Sequence, residues 1–175
     1  YKTGISLKLS RNEMKLLAVN KFNRLFEGMS EEEVRRFFLV CSEELYDLFN
    51  QKVVAEIKEV QAAGYHTVLL SGAYHLLLEH VGKKLGFDTV IGTQLPFADN
   101  RFDSQKEVEV INGSIKNKKV HEYFHEHEVD WHSSRAYADS MTDLELLEAV
   151  GQPVAVNPET QLRKIAEERK WKIIT

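Results

Sequence analysis

Between Arg135 and Val150 the sequence passes from a short apolar run through a polar turn into an amphipathic helix. Ala136-Tyr137-Ala138 is followed by Asp139-Ser140-Met141-Thr142-Asp143 and then by Leu144-Glu145-Leu146-Leu147. A strand, turn and helix in that order put two carboxylates at the carboxyl end of the strand, beside a helix amino terminus. In open α/β sheets ligands bind at that end of the strands, and a helix amino terminus stabilises anions. A solvated helix start would use Asp143 simply as a cap. The spacing alone is compatible with both readings.

The same texture extends over everything after residue 64. Thr67 to Leu70 reads as a strand, Ser71-Gly72 as a turn and Tyr74 to Leu85 as a helix closed by Gly86. Thr89 to Gly92 is a strand, and residues 95–115, with Asp99-Asn100 and Asn112-Gly113, read as a hairpin excursion. A helix over 118–127, the strand Arg135–Ala138, the helix Thr142–Val150 and the strand Pro153–Val156 follow. Pro158 is expected at the first position of a last helix, before a final strand over 171–175. Such alternation predicts a parallel sheet covered by helices on both faces. Residues 10–63 are helical in pattern instead. Ser10 with Glu13 and Ser30 with Glu33 fit capping boxes, each ahead of an apolar stripe at helical spacing. A third helix over 52–63 ends at Gly64.

A chain of 175 residues with 43% hydrophobic residues can bury a real core as one domain with a small inserted subdomain. Its net charge of −4 and dispersed basic residues offer no nucleic-acid footprint. The single cysteine, Cys41, suits a reducing compartment, so a cytoplasmic location is expected. The most apolar run, Thr67 to Leu78, is too short to span a bilayer, and no secretory leader is visible. The chain begins at Tyr1 rather than at methionine.

Three further features could carry chemistry. Ser71-Gly72, at a strand end before a helix, offers a hydroxyl and backbone N–H groups to a phosphoryl oxygen, or is an ordinary turn. Lys116, Lys118 and Lys119 cluster near a helix start, where the dipole disfavours cations unless a counter-charge is near. Solvated surface lysines are the plainer alternative. His121 and His125 lie one helical turn apart, as in a zinc pair, but no cysteine accompanies them and the HExxH spacing is absent. A solvated helix face is the expectation there.

Taken in order, these signals resemble the haloacid dehalogenase superfamily of phosphohydrolases, and within it the phosphoserine phosphatase-like subfamily, from Gly64 to Thr175. Val68-Leu69-Leu70-Ser71-Gly72 resembles the second motif, whose serine hydrogen-bonds the phosphoryl group. Lys119, in Asn117-Lys118-Lys119-Val120, is taken as the third-motif lysine, with Lys116 and Lys118 as alternatives. Ala138-Asp139-Ser140-Met141-Thr142-Asp143 resembles the fourth motif, whose first aspartate binds magnesium. The resemblance implies a Rossmann-like core over 64–175 and a helical cap over 1–63. It implies catalytic roles for Ser71, Lys119, Asp139 and Asp143, and phosphoryl binding by Ser71, Gly72 and Lys119 with Ser140 and Thr142. Magnesium would be held by Asp139 and Asp143. The substrate would be a small phosphorylated metabolite, with phosphoserine one candidate.

The family's first motif, an Asp-x-Asp-x-Thr/Ser whose first aspartate is the nucleophile, has no counterpart before residue 65. The strand that carries it would be central in the sheet, flanked by the Ser71 and Asp139 strands. The expectation is that this motif lies upstream of Tyr1 and that the 175 residues alone are inactive. The alternative is a non-catalytic member that binds a phosphorylated ligand or a partner.

Overall fold

The computed structural model describes residues 11–175, so the capping box at Ser10 lies outside the described residues. Helix α1 spans Arg11–Asn23 and continues into a 3-10 turn, Arg24–Phe26. Gly28, at φ 81°, then redirects the chain into a left-handed turn. Helix α2, Glu31–Leu45, starts where the sequence says it should. The Ser30 hydroxyl accepts from the Glu33 N–H, and the Glu33 carboxylate accepts from the Ser30 N–H at 2.7 Å. Three glutamates in its first turn complement the dipole. Helix α3, Gln51–Ala62, is capped by Asn50 Oδ1, which accepts from Lys52 N–H at 3.0 Å.

From residue 65 the α/β alternation appears as expected. Strand β1 (Val68–Tyr74), helix α4 (His75–Leu85) and strand β2 (Thr89–Thr93) form one parallel unit. After it come the short antiparallel pair β3 (Phe97–Ala98) and β4 (Arg101–Phe102), and helix α5 (Gly113–Phe124). Strand β5 (Arg135–Ala138), helix α6 (Leu144–Ala149), strand β6 (Gln152–Val156), helix α7 (Thr160–Glu168) and strand β7 (Lys172–Ile174) complete the chain. The parallel strands lie in two ladders, β1-β2 and β5-β6-β7. Among the described residues β1 is paired only with β2, and β5 only with β6. All seven β1 residues are half-buried, although strands of parallel sheets are ordinarily buried on both faces.

Several boundaries differ from the sequence reading. Strand β1 does not stop at Leu70. Its register with β2 is regular to Leu70↔Ile91 and resumes at Tyr74↔Thr93, so residues 71–73 bulge. The excursion after β2 pairs only over Phe97–Ala98 and Arg101–Phe102, around Asp99 and Asn100 at positive φ. Asn112-Gly113 is not a second hairpin turn but the start of α5, five residues earlier than residue 118. Pro158 precedes the residue that opens α7 (Glu159) instead of occupying the first helical position.

The helical segment and the α/β part share one core. Phe26, Val34 and Phe38 are buried with Leu76 of α4, Leu95, Phe102 and Val108. The Tyr74 hydroxyl donates to Asn23 Oδ1 at 2.7 Å, and burial pushes the Tyr74 phenol pKa up to about 12. Helix α3 is tied to the second ladder. Tyr137 Oη donates to Glu56 Oε2 at 3.2 Å, Lys172 pairs with Glu56, and Lys52 reaches the Thr175 carbonyl. A second cluster, Ala136, Leu147 and Leu162, packs α6 and α7 beside β5.

Candidate active site

Ser71 and Gly72 sit in the β1 bulge. The Ser71 hydroxyl oxygen accepts from Ala73 N–H at 3.2 Å, which leaves its own proton to donate elsewhere. Glycine is required next to it. A Cβ on residue 72 would lie 2.5 Å from the Ile111 carbonyl oxygen, a backbone atom that cannot swing aside. The segment 110–113 therefore runs directly against the bulge.

Two residues later the same segment meets the other turn. A Cβ on Gly113 would lie 3.7 Å from the carbonyl oxygen of Thr142. Two residues of extended chain span roughly 7 Å, so the bulge of Ser71 and the turn of Asp139–Asp143 are neighbours. The β1 bulge and the polar turn after β5 are thus brought together by the start of α5.

That helix presents Lys116 to the second turn. Its Nζ lies 2.6 Å from Asp143 Oδ1, with side-chain exposures of 18% and 6%. Lys119, taken from sequence as the motif lysine, is instead paired with Glu122 at 3.3 Å on the helix surface, and Lys118 reaches the same glutamate at 3.6 Å. Helix α5 opens at Gly113, so Lys116 lies in its first turn within reach of Asp143, while Lys119, one turn further along, meets Glu122 instead. Asp143 occupies the position that opens α6 yet makes no side-chain capping bond. Its carboxylate serves the lysine.

Asp139 ends β5 with an exposed side chain. Its main chain is held from α7. The Glu159 N–H donates to the Asp139 carbonyl at 2.9 Å, and the Glu159 carboxylate accepts from Met141 N–H at 2.6 Å. Ser140 and Thr142 bond each other, the Thr142 hydroxyl donating to Ser140 Oγ at 3.1 Å and the Thr142 N–H at 3.3 Å. They shape the turn around Asp139. Glu159 carried no sequence signal beyond following Pro158, and its role depends on a contact across the fold.

The donor chemistry here is oxygen only, which fits a hard divalent cation such as Mg²⁺. Asp143 Oδ1 is engaged by Lys116, and the Asp139 side chain is exposed. Among the described residues no three His, Cys, Asp or Glu side chains converge as a metal-binding group. The histidines of the spaced pair go separate ways: His121 packs on Trp131, and His125 Nδ1 meets the Glu122 carbonyl at 3.1 Å. No helix among the described residues is long and apolar enough to cross a membrane.

Comparison with known proteins bears on the family and the fold. Residues 5–148 match the family model described as haloacid dehalogenase-like hydrolase. The chain is 30% identical over 154 residues to the "Inhibition of morphological differentiation protein" of Streptomyces azureus, covering 86% of this chain and 54% of that protein. It is 28% identical over 152 residues to the phosphoserine phosphatase SerB1 of Mycobacterium tuberculosis, covering 84% of this chain and 48% of the relative. The chain thus spans about half the length of the curated relatives it matches. Among solved structures, a protein of unknown function from Bordetella pertussis Tohama I superposes with a TM-score of 0.79 at 23% identity, covering 97% of this chain and 76% of its own. A phosphoserine phosphatase in its apo form superposes with a TM-score of 0.57 at 16% identity, covering 91% of this chain and 84% of its own. At these identities the two structures share the fold.

Proposed function

Because the chain belongs to the haloacid dehalogenase-like hydrolase family, we propose that it supplies most of the active site of a magnesium-dependent phosphomonoesterase acting on a small phosphorylated metabolite. The observation that carries this reading is the convergence of the Ser71 bulge, the partly buried Lys116–Asp143 pair and the Asp139 turn on the segment 111–116. A serine hydroxyl, an ammonium and a carboxylate are what a phosphate dianion and its counter-cation need. Phosphoserine is one candidate substrate among several. The mycobacterial relative bearing the phosphatase name supports that class.

In this reading Ser71 Oγ–H and the Gly72 N–H hold a phosphoryl oxygen. Lys116, rather than Lys119, offsets the charge of the phosphoryl group, and Asp143 keeps its ammonium aimed. Asp139 holds the cation, with its carboxylate aimed by the Glu159 clamp on its own turn. Magnesium, when bound, would neutralise phosphoryl oxygens and orient the group for in-line attack. The nucleophile is proposed to be an aspartate upstream of Tyr1, on a strand that would pair with β1 and β5. Its carboxylate oxygen would form a bond to phosphorus as the ester oxygen leaves with a proton from a second carboxyl group. The aspartyl phosphate would then be cleaved by water. The helical segment, sharing a core with Tyr74 and Leu76, would wall the site and select the leaving group.

The test is hydrolysis of p-nitrophenyl phosphate by the product of the complete coding sequence, with and without Mg²⁺. Magnesium-dependent turnover that Asp139→Asn abolishes is expected, and the 175 residues alone should be inactive. Turnover insensitive to Asp139→Asn would refute the assignment of that residue. No turnover by the complete product would favour a phosphate-binding protein without chemistry.

A further inference from the structure

The bulge at residues 71–73 sets three residues of β1 against one of β2, Gly92, so local ladder bonds are lost and something else must fix its shape. Thr93, the last residue of β2, is 1% exposed. Its hydroxyl donates to the Gly72 carbonyl at 2.9 Å and accepts from Ile111 N–H at 3.1 Å. Both capacities of a buried hydroxyl are therefore committed to main chain.

Each bond has a consequence for the site. The Gly72 carbonyl and the Ala73 N–H belong to one planar peptide, and that N–H is the group bonded to Ser71 Oγ. Anchoring the carbonyl sets the plane, which occupies one lone pair of Ser71 Oγ and leaves its proton directed elsewhere. The second bond fixes Ile111, whose carbonyl rests against Gly72 and whose segment opens the helix that carries Lys116. We infer that Thr93 is a positioning residue that sets the Ser71 hydroxyl and the Lys116 ammonium relative to each other through these two bonds. The inference rests on the phosphate-holding role proposed above for Ser71.

The test uses the complete protein and compares Thr93→Val, which keeps shape but loses both bonds, with Thr93→Ser, which keeps them. KM for p-nitrophenyl phosphate and Ki for inorganic phosphate should rise about tenfold in Thr93→Val, the scale of one well-placed hydrogen bond. Thr93→Ser should stay within about threefold of wild type. In a Ser71→Ala background the effect of Thr93→Val should shrink to about threefold or less, because part of it acts through Ser71. A merely structural threonine would lower the melting temperature and leave KM and Ki unmoved, or act fully additively with Ser71→Ala. Either outcome overturns the inference while the proposed function stands. Wild-type protein that neither turns over the ester nor binds phosphate would overturn both.

Discussion

Lys116→Met keeps much of the side chain's reach and removes its charge. The Asp143 carboxylate, 6% exposed, then loses the ammonium 2.6 Å away. Removing one partner of a fully buried pair costs about 3–5 kcal/mol. Lys116 is 18% exposed, so water can reach the abandoned carboxylate, and about 2–3 kcal/mol is the better figure. For a domain of this size that is a fall in melting temperature of roughly 5–10 °C. Lys119→Met is the control. Its pair with Glu122 lies on the surface, where such pairs are worth about 0–1 kcal/mol, so the fall should stay under about 3 °C. Thermal melts by circular dichroism separate these values. In the complete protein kcat/KM should fall about 100-fold or more for Lys116→Met, as for loss of an electrostatic donor, and within about threefold for Lys119→Met. Adding Asp143→Asn to Lys116→Met should recover part of the lost stability, because the unpaired charge is gone. If Lys119→Met is the more damaging substitution in either assay, the pairing argued here is wrong.

Two other substitutions probe the same framework. Gly72→Ala would set a Cβ 2.5 Å from the Ile111 carbonyl oxygen, so we expect about 1–3 kcal/mol of destabilisation and weakened phosphate binding; a fully stable variant with unchanged Ki for phosphate would contradict the close approach. Asp88 accepts from the Thr67 N–H at 2.7 Å and from its hydroxyl at 2.8 Å, and these bonds hold its carboxyl below the usual carboxylate range. A depressed folded-state pKa contributes stability that is present above the unfolded value and lost as pH falls through the folded one. Urea midpoints measured from about pH 5 downward should therefore fall less steeply in Asp88→Asn than in wild type, and identical pH profiles would rule out that contribution.

The fold was legible where apolar runs met unambiguous punctuation. Arg135–Ala138 ends at Asp139 in both sequence and structure, Gly86 closes α4 at φ 74°, and Ser30 with Glu33 caps α2. Misreadings came from residues whose local chemistry suits two outcomes. Asn112-Gly113 has the composition of a tight hairpin turn, yet it opens α5, whose Lys116, and not Lys119, meets Asp143. The helix dipole asks for a counter-charge near a lysine in the first turn but does not select which lysine meets Asp143, because that pairing spans 27 residues of chain. Pro158 suited the first helical position, but Glu159 reaches Met141 from the residue that opens α7. The contacts of Thr93 and Glu159 were not legible in the sequence, for one reason. Both act by hydrogen-bonding the backbone of a distant turn, which leaves no spacing or composition signal.

The central claim is that residues 71, 116, 139 and 143 serve a phosphoryl group transferred to an aspartate outside this segment. The most direct measurement is to stop the complete protein during turnover of p-nitrophenyl phosphate, reduce any acyl phosphate with borohydride and locate the resulting homoserine by peptide mass spectrometry. Homoserine at an aspartate upstream of Tyr1, absent in Asp139→Asn, is the expected result. Homoserine within residues 1–175, or steady turnover with no acyl phosphate at all, would contradict the claim.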